Sequence, residues 1–409
     1  MTAEPPLVLI EPGIHRLGGH HPRTLAALAA ARPGSLVIAP YGTADPAPLR
    51  QADARLITDT RGPAATVLLA AAQWAHAVSA AGQKAFGSRR WPLALRRAPH
   101  QVTLIARCLT EAACLRTARR LVQEPAAVVV LSASEALHGA AALLGQLPHL
   151  RFLHEAVTTE DAPVRLLGRL ARQGERRVVA LYPTADVRDQ FADAFPLMTG
   201  RVQAFAVDDG SRLTRAERDG ARTAFGIPET AATVCLVGGW WPYKDIATID
   251  AALARLTAPL HLVVTGSPLD EDMLARWHDL PWVHLHTVPG PVGEQVLRLV
   301  YAAADAALVA RRPGVGKESG LVMDAARLGV PLVVSDHDRE LGERLGGQPW
   351  ARLFPAGDPG ALATVLDRLA VESPEQAGLG APAVLGMATA AEQAAFLTET
   401  WIRLTEELR

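Results

Sequence analysis

Lysine is nearly missing from this chain: of 41 basic residues only Lys84, Lys244 and Lys317 are lysines, and the rest are arginines. In such a background a lysine can mark a place where a compact ammonium is needed and a planar fork does not fit, although chance would also give so short a list. Net charge is almost absent too. At −1 there is no global basic field to release counterions, which argues against nucleic acid as a bulk partner. Cysteine is scarce, and Cys108, Cys114 and Cys235 match no metal or redox spacing, so a reduced, cytoplasmic setting is expected. No apolar run approaches the length of a membrane span; 67–81 is Ala-rich but broken by Gln73, His76 and Ser79. The opening MTAEPPLVLIEPG has no basic n-region, and the expectation is a soluble protein without a signal peptide.

What is present is ordinary globular material, 49% hydrophobic and 20% charged over 409 residues, too long for one core of usual size. The first half alternates short apolar runs (7–10, 36–39, 55–58, 102–107, 127–131, 151–154 and 178–182) with Ala/Leu-rich segments of helical period at 22–31, 64–81 and 111–123. That alternation is the βα pattern of a parallel sheet. Between them 88–97, SRRWPLALRR, reads as a basic loop, either a solvated surface or a lip for an anionic or polyhydroxylated acceptor. The polar stretch 206–231 reads as a connection carrying a helix at 215–225. The second half repeats the pattern, with strands at 233–237, 260–264, 283–286, 306–310, 331–335 and 352–354. An amphipathic helix at 389–408 closes the chain, with Phe396, Leu397, Trp401 and Leu404 on one side. The expected fold is α/β, two Rossmann-like doubly wound domains facing a cleft: 1–206 with 387–409, and 207–386.

The stretch 305–336 says most about chemistry. A buried strand is followed by a loop holding Arg311, Arg312, Gly316 and Lys317; Ser319 then suits the N-cap of a helix starting at Gly320 and Leu321, and Gly329 its C′ residue. Strand, basic loop and capped helix start make an anion site for a phosphate-bearing molecule; the alternative is a plain βαβ crossover with solvated arginines. Other strand ends add candidates. Lys244, six residues after Gly238 and five after Gly239, suits a glycine turn with an ammonium reaching a phosphate. The first half offers Gly18, Gly19, His20 and His21, then His154 and Glu155. LGGHHPR lacks the G-x-G-x-x-G order, so no nicotinamide or flavin site is expected. Asp336-His337-Asp338 could flank a divalent ion, but Ser335 or Asp336 capping a helix from Arg339 fits better, and neither metal nor cofactor is expected. His154 reads either as a satisfied strand-end histidine or as a partner for a substrate hydroxyl. Asp324 either pairs with Arg327 or Arg311 or reaches a ligand ribose.

From 233 to 369 the residues resemble the nucleotide-binding domain of GT-B fold glycosyltransferases, in the retaining group related to glycogen synthase and sucrose-phosphate synthase. The segments VCLVGGWWPYKD, LHLVVTGSP, VHLHTVPGPVGEQVLRLVYAAADAALVA, ESGLVMDAARLGVPLVVSD and ARLFPAGDPGALATVLDRL stand in family order. The first half is similar in outline only. The resemblance implies a second domain that binds a nucleotide-sugar donor, a first that binds the acceptor, and a C-terminal helix crossing back onto the first. It implies Lys244 and the backbone at 319–322 on the donor diphosphate, Asp324 on the ribose, His154 near the transferred sugar, and Gly18–Gly19 as the loop that closes over it. His20, His21 and Glu155 would then meet the acceptor. Two positions depart from the family: Gly239 stands where an arginine is usual, and Gly316 where a glutamate is usual, with Glu318 two residues away. Arg311, Arg312 or Lys317 would supply the missing charge.

The activity so implied is transfer of a sugar from a nucleotide diphosphate donor to a small polar hydroxyl or amine acceptor, without metal and with retention. The rival readings are coupling of a cyclitol to an amine, a nucleotide-sugar epimerase, and a non-catalytic sugar-nucleotide binding subunit.

Overall fold

The computed structural model describes residues 5–15, 21–87, 90–122, 126–131, 136–154, 161–315, 319–372 and 374–409. They fall into two compact units: one takes the described residues up to Val207 together with Thr389–Arg409, and the other Asp208–Ala388.

The first unit is built on seven strands, β1 (Leu7–Ile10), β2 (Leu36–Ile38), β3 (Arg55–Ile57), β4 (Ala127–Val130), β5 (His149–Phe152), β6 (Val178–Tyr182) and β7 (Thr199–Val202). All neighbours are parallel, in the order β3-β2-β1-β4-β5-β6-β7, so the winding reverses between β1 and β4. Alternation along β1 shows why both faces must be covered. Leu7 and Leu9 join a cluster with Leu25, Leu28, Leu397 and Leu404, from the helices His21–Ala31 and Ala390–Glu407. Val8 and Ile10 point the other way, to Cys114 and Leu115 of the helix Leu93–Leu121. The C-terminal helix is thus part of the first unit, its start fixed by a Thr389/Glu392 capping box.

Two expectations fail here. Residues 102–107 are no strand: they lie within the 29-residue helix Leu93–Leu121, which also takes in 93–97 of the expected basic loop. VTLIAR is a short apolar run, and in isolation a buried strand and a buried turn of helix share that pattern. The run 151–154 is displaced by two residues, because β5 begins at His149. The helix Pro63–Phe86 is also more membrane-like than its interruptions suggest, with a mean hydropathy of 1.3 over 18 residues. One side of it packs on the Leu93–Leu121 helix through Ala65, Ala72, Ala75 and Ser79, and the Ser79 hydroxyl donates to the Pro99 carbonyl at 2.7 Å.

β8 (Val207–Asp208) pairs with β15 (Ala388–Thr389). Between them the second sheet comprises β9 (Thr233–Val237), β10 (Leu260–Gly266), β11 (Val283–Pro289), β12 (Ala306–Val309), β13 (Leu332–Ser335) and β14 (Ala351–Phe354). It too is parallel, in the order β11-β10-β9-β12-β13-β14, with the reversal between β9 and β12. Val234, Leu236, Leu262 and Val264 meet Ile249, Leu253, Trp277, Leu362 and Leu366 in its core. The helix Arg215–Phe225 is folded into this unit rather than left as a linker. Buried Arg222 donates to Asp305 at 2.8 Å and to the Pro228 carbonyl at 2.9 Å, closing the polar stretch onto the start of β12.

Candidate functional sites at the two switch points

In the second unit the reversal between β9 and β12 gathers two cations. β9 ends at Val237; Gly238 turns the chain at φ +84°, and Lys244 follows after the aromatic loop. That loop is pinned on both sides. Trp240 tilts onto Trp277 with ring centroids 5.1 Å apart, and the Arg312 amide donates to the Tyr243 carbonyl at 3.1 Å. Lys244 and Arg311 then form a lone antiparallel bridge. Lys244 is 7% exposed and Arg311 4%, and the Arg311 guanidinium lies 5.4 Å from the centre of the Tyr243 ring. The Lys244 ammonium donates to the carbonyls of Val237 at 2.6 Å and Gly238 at 2.9 Å. Among the described residues no carboxylate pairs with it. Burial, and after it the charge of Arg311, pushes its pKa down to about 7. A buried ammonium held this way is poised to gain from an incoming anion.

The end of β13 supplies the other wall. The Ser335 hydroxyl accepts from the Arg311 amide at 3.0 Å, and the Gly314 amide donates to the His337 carbonyl at 3.0 Å. His337 Nδ1 stands 2.9 Å from the Ser335 carbonyl, which only accepts, so Nδ1 carries the proton and Nε2 a lone pair. That buried Nε2 has no partner among the described residues. Burial, with Arg311 nearby, holds the imidazole neutral, at a pKa of about 4. The helix expected from Arg339 does start there, but its cap is Asp338, whose carboxylate accepts from the Leu341 amide at 2.8 Å. Ser335 is engaged with Arg311 instead, and Asp336 accepts from the Ala356 amide at 2.7 Å.

The floor is a backbone seam. A Cβ on Gly239 would lie 2.0 Å from the Ser267 carbonyl oxygen, and one on Gly266, at φ +145°, 2.3 Å from the Gly238 carbonyl carbon. Only glycine lets the ends of β9 and β10 approach this closely. Gly239, read from the sequence as a departure, is therefore required by packing.

Ser319 caps the helix Gly320–Leu328, accepting from the Val322 amide at 3.4 Å, with Gly329 at φ +83° as its C′ residue. Leu321 is half-buried in the first turn. Asp324 lies one turn further on, buried beside Arg327 at 3.8 Å, and Arg327 itself holds Asp209 at 3.0 Å. Arg312 is exposed. Lys317, with Gly316, lies outside the described residues, as do Gly18, Gly19, His20 and Glu155.

The first unit has its own polar set at the β1/β4 reversal. Glu11 follows β1 and is buried; its carboxylate accepts from the Gly13 amide at 2.9 Å and from His21 Nδ1 at 3.0 Å. His154 Nε2 donates to the Leu131 carbonyl at 2.9 Å, beyond the end of β4. His154 meets His21 and Phe205 edge to face, and His21 tilts onto Phe205, with ring centres 4.6–4.8 Å apart. The structure thus brings His21 and His154 together and adds Glu11, which the sequence reading passed over. The signal was a lone carboxylate directly after the apolar run LVLI.

No protein-family model matches this sequence, and no curated protein matches it significantly. Solved structures do match along almost the full chain. The Anabaena protein Alr3699/HepE, solved with UDP and glucose, superposes with a TM-score of 0.63 at 14% identity over 97% of this chain and 99% of its own. An α,α-trehalose 6-phosphate synthase from Burkholderia multivorans gives 0.61 at 15% identity over 99% and 98%. A glycosyltransferase from Rickettsia africae gives 0.57 at 12% over 99% and 97%. Two parallel, doubly wound α/β units shared end to end with these structures give the chain the GT-B fold.

Proposed function

We propose that this chain is a glycosyltransferase that takes a sugar from a nucleotide diphosphate donor. The observation that carries the proposal is the pairing of Lys244 and Arg311, two buried cations at the β9/β12 reversal with no carboxylate on Lys244 among the described residues. A diphosphate at this sheet edge would receive the ammonium, the guanidinium and the free amides of the Ser319-capped helix. These are the groups that stabilise a leaving diphosphate as the bond from the anomeric carbon to the phosphate oxygen breaks and the electron pair leaves with the phosphate. His337 Nε2 offers a buried acceptor beside Arg311, and Asp324 is kept for the donor ribose. In the first unit Glu11, His21 and His154 would hold a small polar acceptor, whose hydroxyl or amine forms the new bond to the anomeric carbon and gives up its proton to the departing diphosphate. Uridine diphosphate sugars are the first donors to try, since structural neighbours were solved with UDP or UDP-glucose.

The test is to incubate the protein with several nucleotide sugars, with and without glucose and glucose 6-phosphate, and to follow nucleoside diphosphate release. Acceptor-dependent release that Lys244→Gln abolishes supports transfer. An isomerised donor, or nucleotide binding without turnover over a broad acceptor panel, would replace it with the epimerase or the binding subunit. A protein that binds no nucleoside diphosphate refutes the site itself.

A further inference from the structure

The helix Pro63–Phe86 presents an outward stripe that none of the described residues covers. Positions 63, 67, 70, 71, 74, 78, 81 and 85 recur at helical spacing, are all apolar and are all exposed. Trp74 is 71% exposed and Val67 67%, values at which a soluble helix normally carries charge. The charge pattern around it is one-sided. From Arg61 to Thr110 the chain has seven Lys and Arg and not one Asp or Glu, within a protein whose net charge is −1. Arg61 precedes the stripe, and Lys84, Arg90, Arg96 and Arg97 lie exposed around its far end and the start of the following helix, beside exposed Leu93 and Leu95. Trp91 sits at the same turn, with the Arg90 guanidinium 5.7 Å from its ring centre.

We propose that this hairpin docks on the surface of an anionic lipid bilayer, the Pro63–Phe86 helix lying in the plane with its apolar stripe in the headgroup boundary. The helix is long and apolar enough to span, but its inner face is committed to the Leu93–Leu121 helix by Ala65, Ala72, Ala75 and by Ser79, whose hydroxyl bonds Pro99 and Thr103 at 2.7 Å. A second copy of the chain would cover the stripe equally well by shape. It would also bring two basic surfaces face to face, each drawn from the acid-free stretch 61–110, and the repulsion selects against it. An anionic surface attracts the same charges, each lysine or arginine near it contributing favourably, while the stripe supplies the apolar area. The inference does not depend on the proposed activity.

The full chain is mixed with sedimentable vesicles of phosphatidylcholine alone or with added phosphatidylglycerol, and the pelleted fraction is measured. The expected result is binding to phosphatidylglycerol vesicles, at least about tenfold weaker on phosphatidylcholine alone and reversed by high salt. Trp74→Ser with Val78→Ser, both at exposed positions, should weaken it by about tenfold without changing the circular dichroism. Brominated lipids should quench a share of the tryptophan emission that the variant lacks. The proposal is overturned by failure to sediment with phosphatidylglycerol vesicles, by equal binding of the variant, or by a gel-filtration dimer that the variant dissociates.

Discussion

Lys244 and Arg311 are bridged backbone to backbone, so two cations that repel each other are held side by side by the loops that follow β9 and β12. The repulsion is legible in the lowered pKa of Lys244, about 7, where burial is the larger cause and Arg311 the second. Burying the Lys244 ammonium with no carboxylate on it among the described residues costs stability.

A bound diphosphate favours charged Lys244 and raises its pKa above 7, so binding takes up a proton in the window between the free and bound values. Affinity should therefore fall as pH rises above about 7, by up to about tenfold per unit, and be flat below it as far as this group is concerned. Titration calorimetry of UDP in buffers of different ionisation enthalpy measures the uptake directly. Lys244→Gln should remove the pH dependence and weaken binding about 10–100-fold at pH 6.5.

Arg311 and Arg312 should separate cleanly. Arg311→Gln removes a buried guanidinium from the site and relieves Lys244, so donor affinity falls by at least about tenfold and the pH midpoint moves up. Arg312→Ala trims an exposed side chain, and its effect should stay within about threefold. An Arg312 effect as large as that of Arg311 would move the site outward along the loop.

The glycine seam gives a stability test. Gly239→Ala drives a Cβ into the Ser267 carbonyl and should cost about 2–3 kcal/mol in urea unfolding. Gly210→Ala, at φ +68° with open space around it, carries only the left-handed backbone penalty of about 1 kcal/mol.

A buried network in the first unit is the most exposed to mutation. Arg151, fully buried on β5, pairs with Glu111 and donates to His138 Nδ1 at 2.8 Å. Glu111→Gln leaves the guanidinium uncompensated and should destabilise the first unit by about 3–5 kcal/mol.

Acid should unfold the protein through its histidines. His149 is held at about 3 by burial first and Arg151 second, and His337 at about 4. Both folded values lie below the unfolded one, so the unfolded chain binds more protons in between. The stability they contribute is complete above about pH 6.5 and is lost as pH falls towards 4 and 3. The midpoint of urea unfolding followed against pH measures it.

Much of the fold was legible because apolar runs are short and bounded. Residues 178–182, 233–237 and 215–225 stand where the periodicity put them. The run 102–107 was not, since its partners in the helix hairpin lie outside any short window. For the candidate site, Lys244 and Ser319 were legible as residues that follow apolar strands. Preferring Arg311 over Arg312 required topology: a one-residue step after β12 decides which arginine turns to Lys244 and which to water, and only the bridge between the two loops fixes it. Glu11 was hidden for the opposite reason, being a single carboxylate whose partner, His21, is ten residues on in the sequence and outside any local pattern.

The seam at Gly238, Gly239 and Gly266 also limits how this protein could diverge. A floor made of main chain offers no side chain to exchange, and its shape is insensitive to sequence so long as the glycines stay. In the proposed donor site, choice among nucleotides and sugars then falls to the walls, at Tyr243 and His337, and a library aimed at altered donors would be spent best on those two positions.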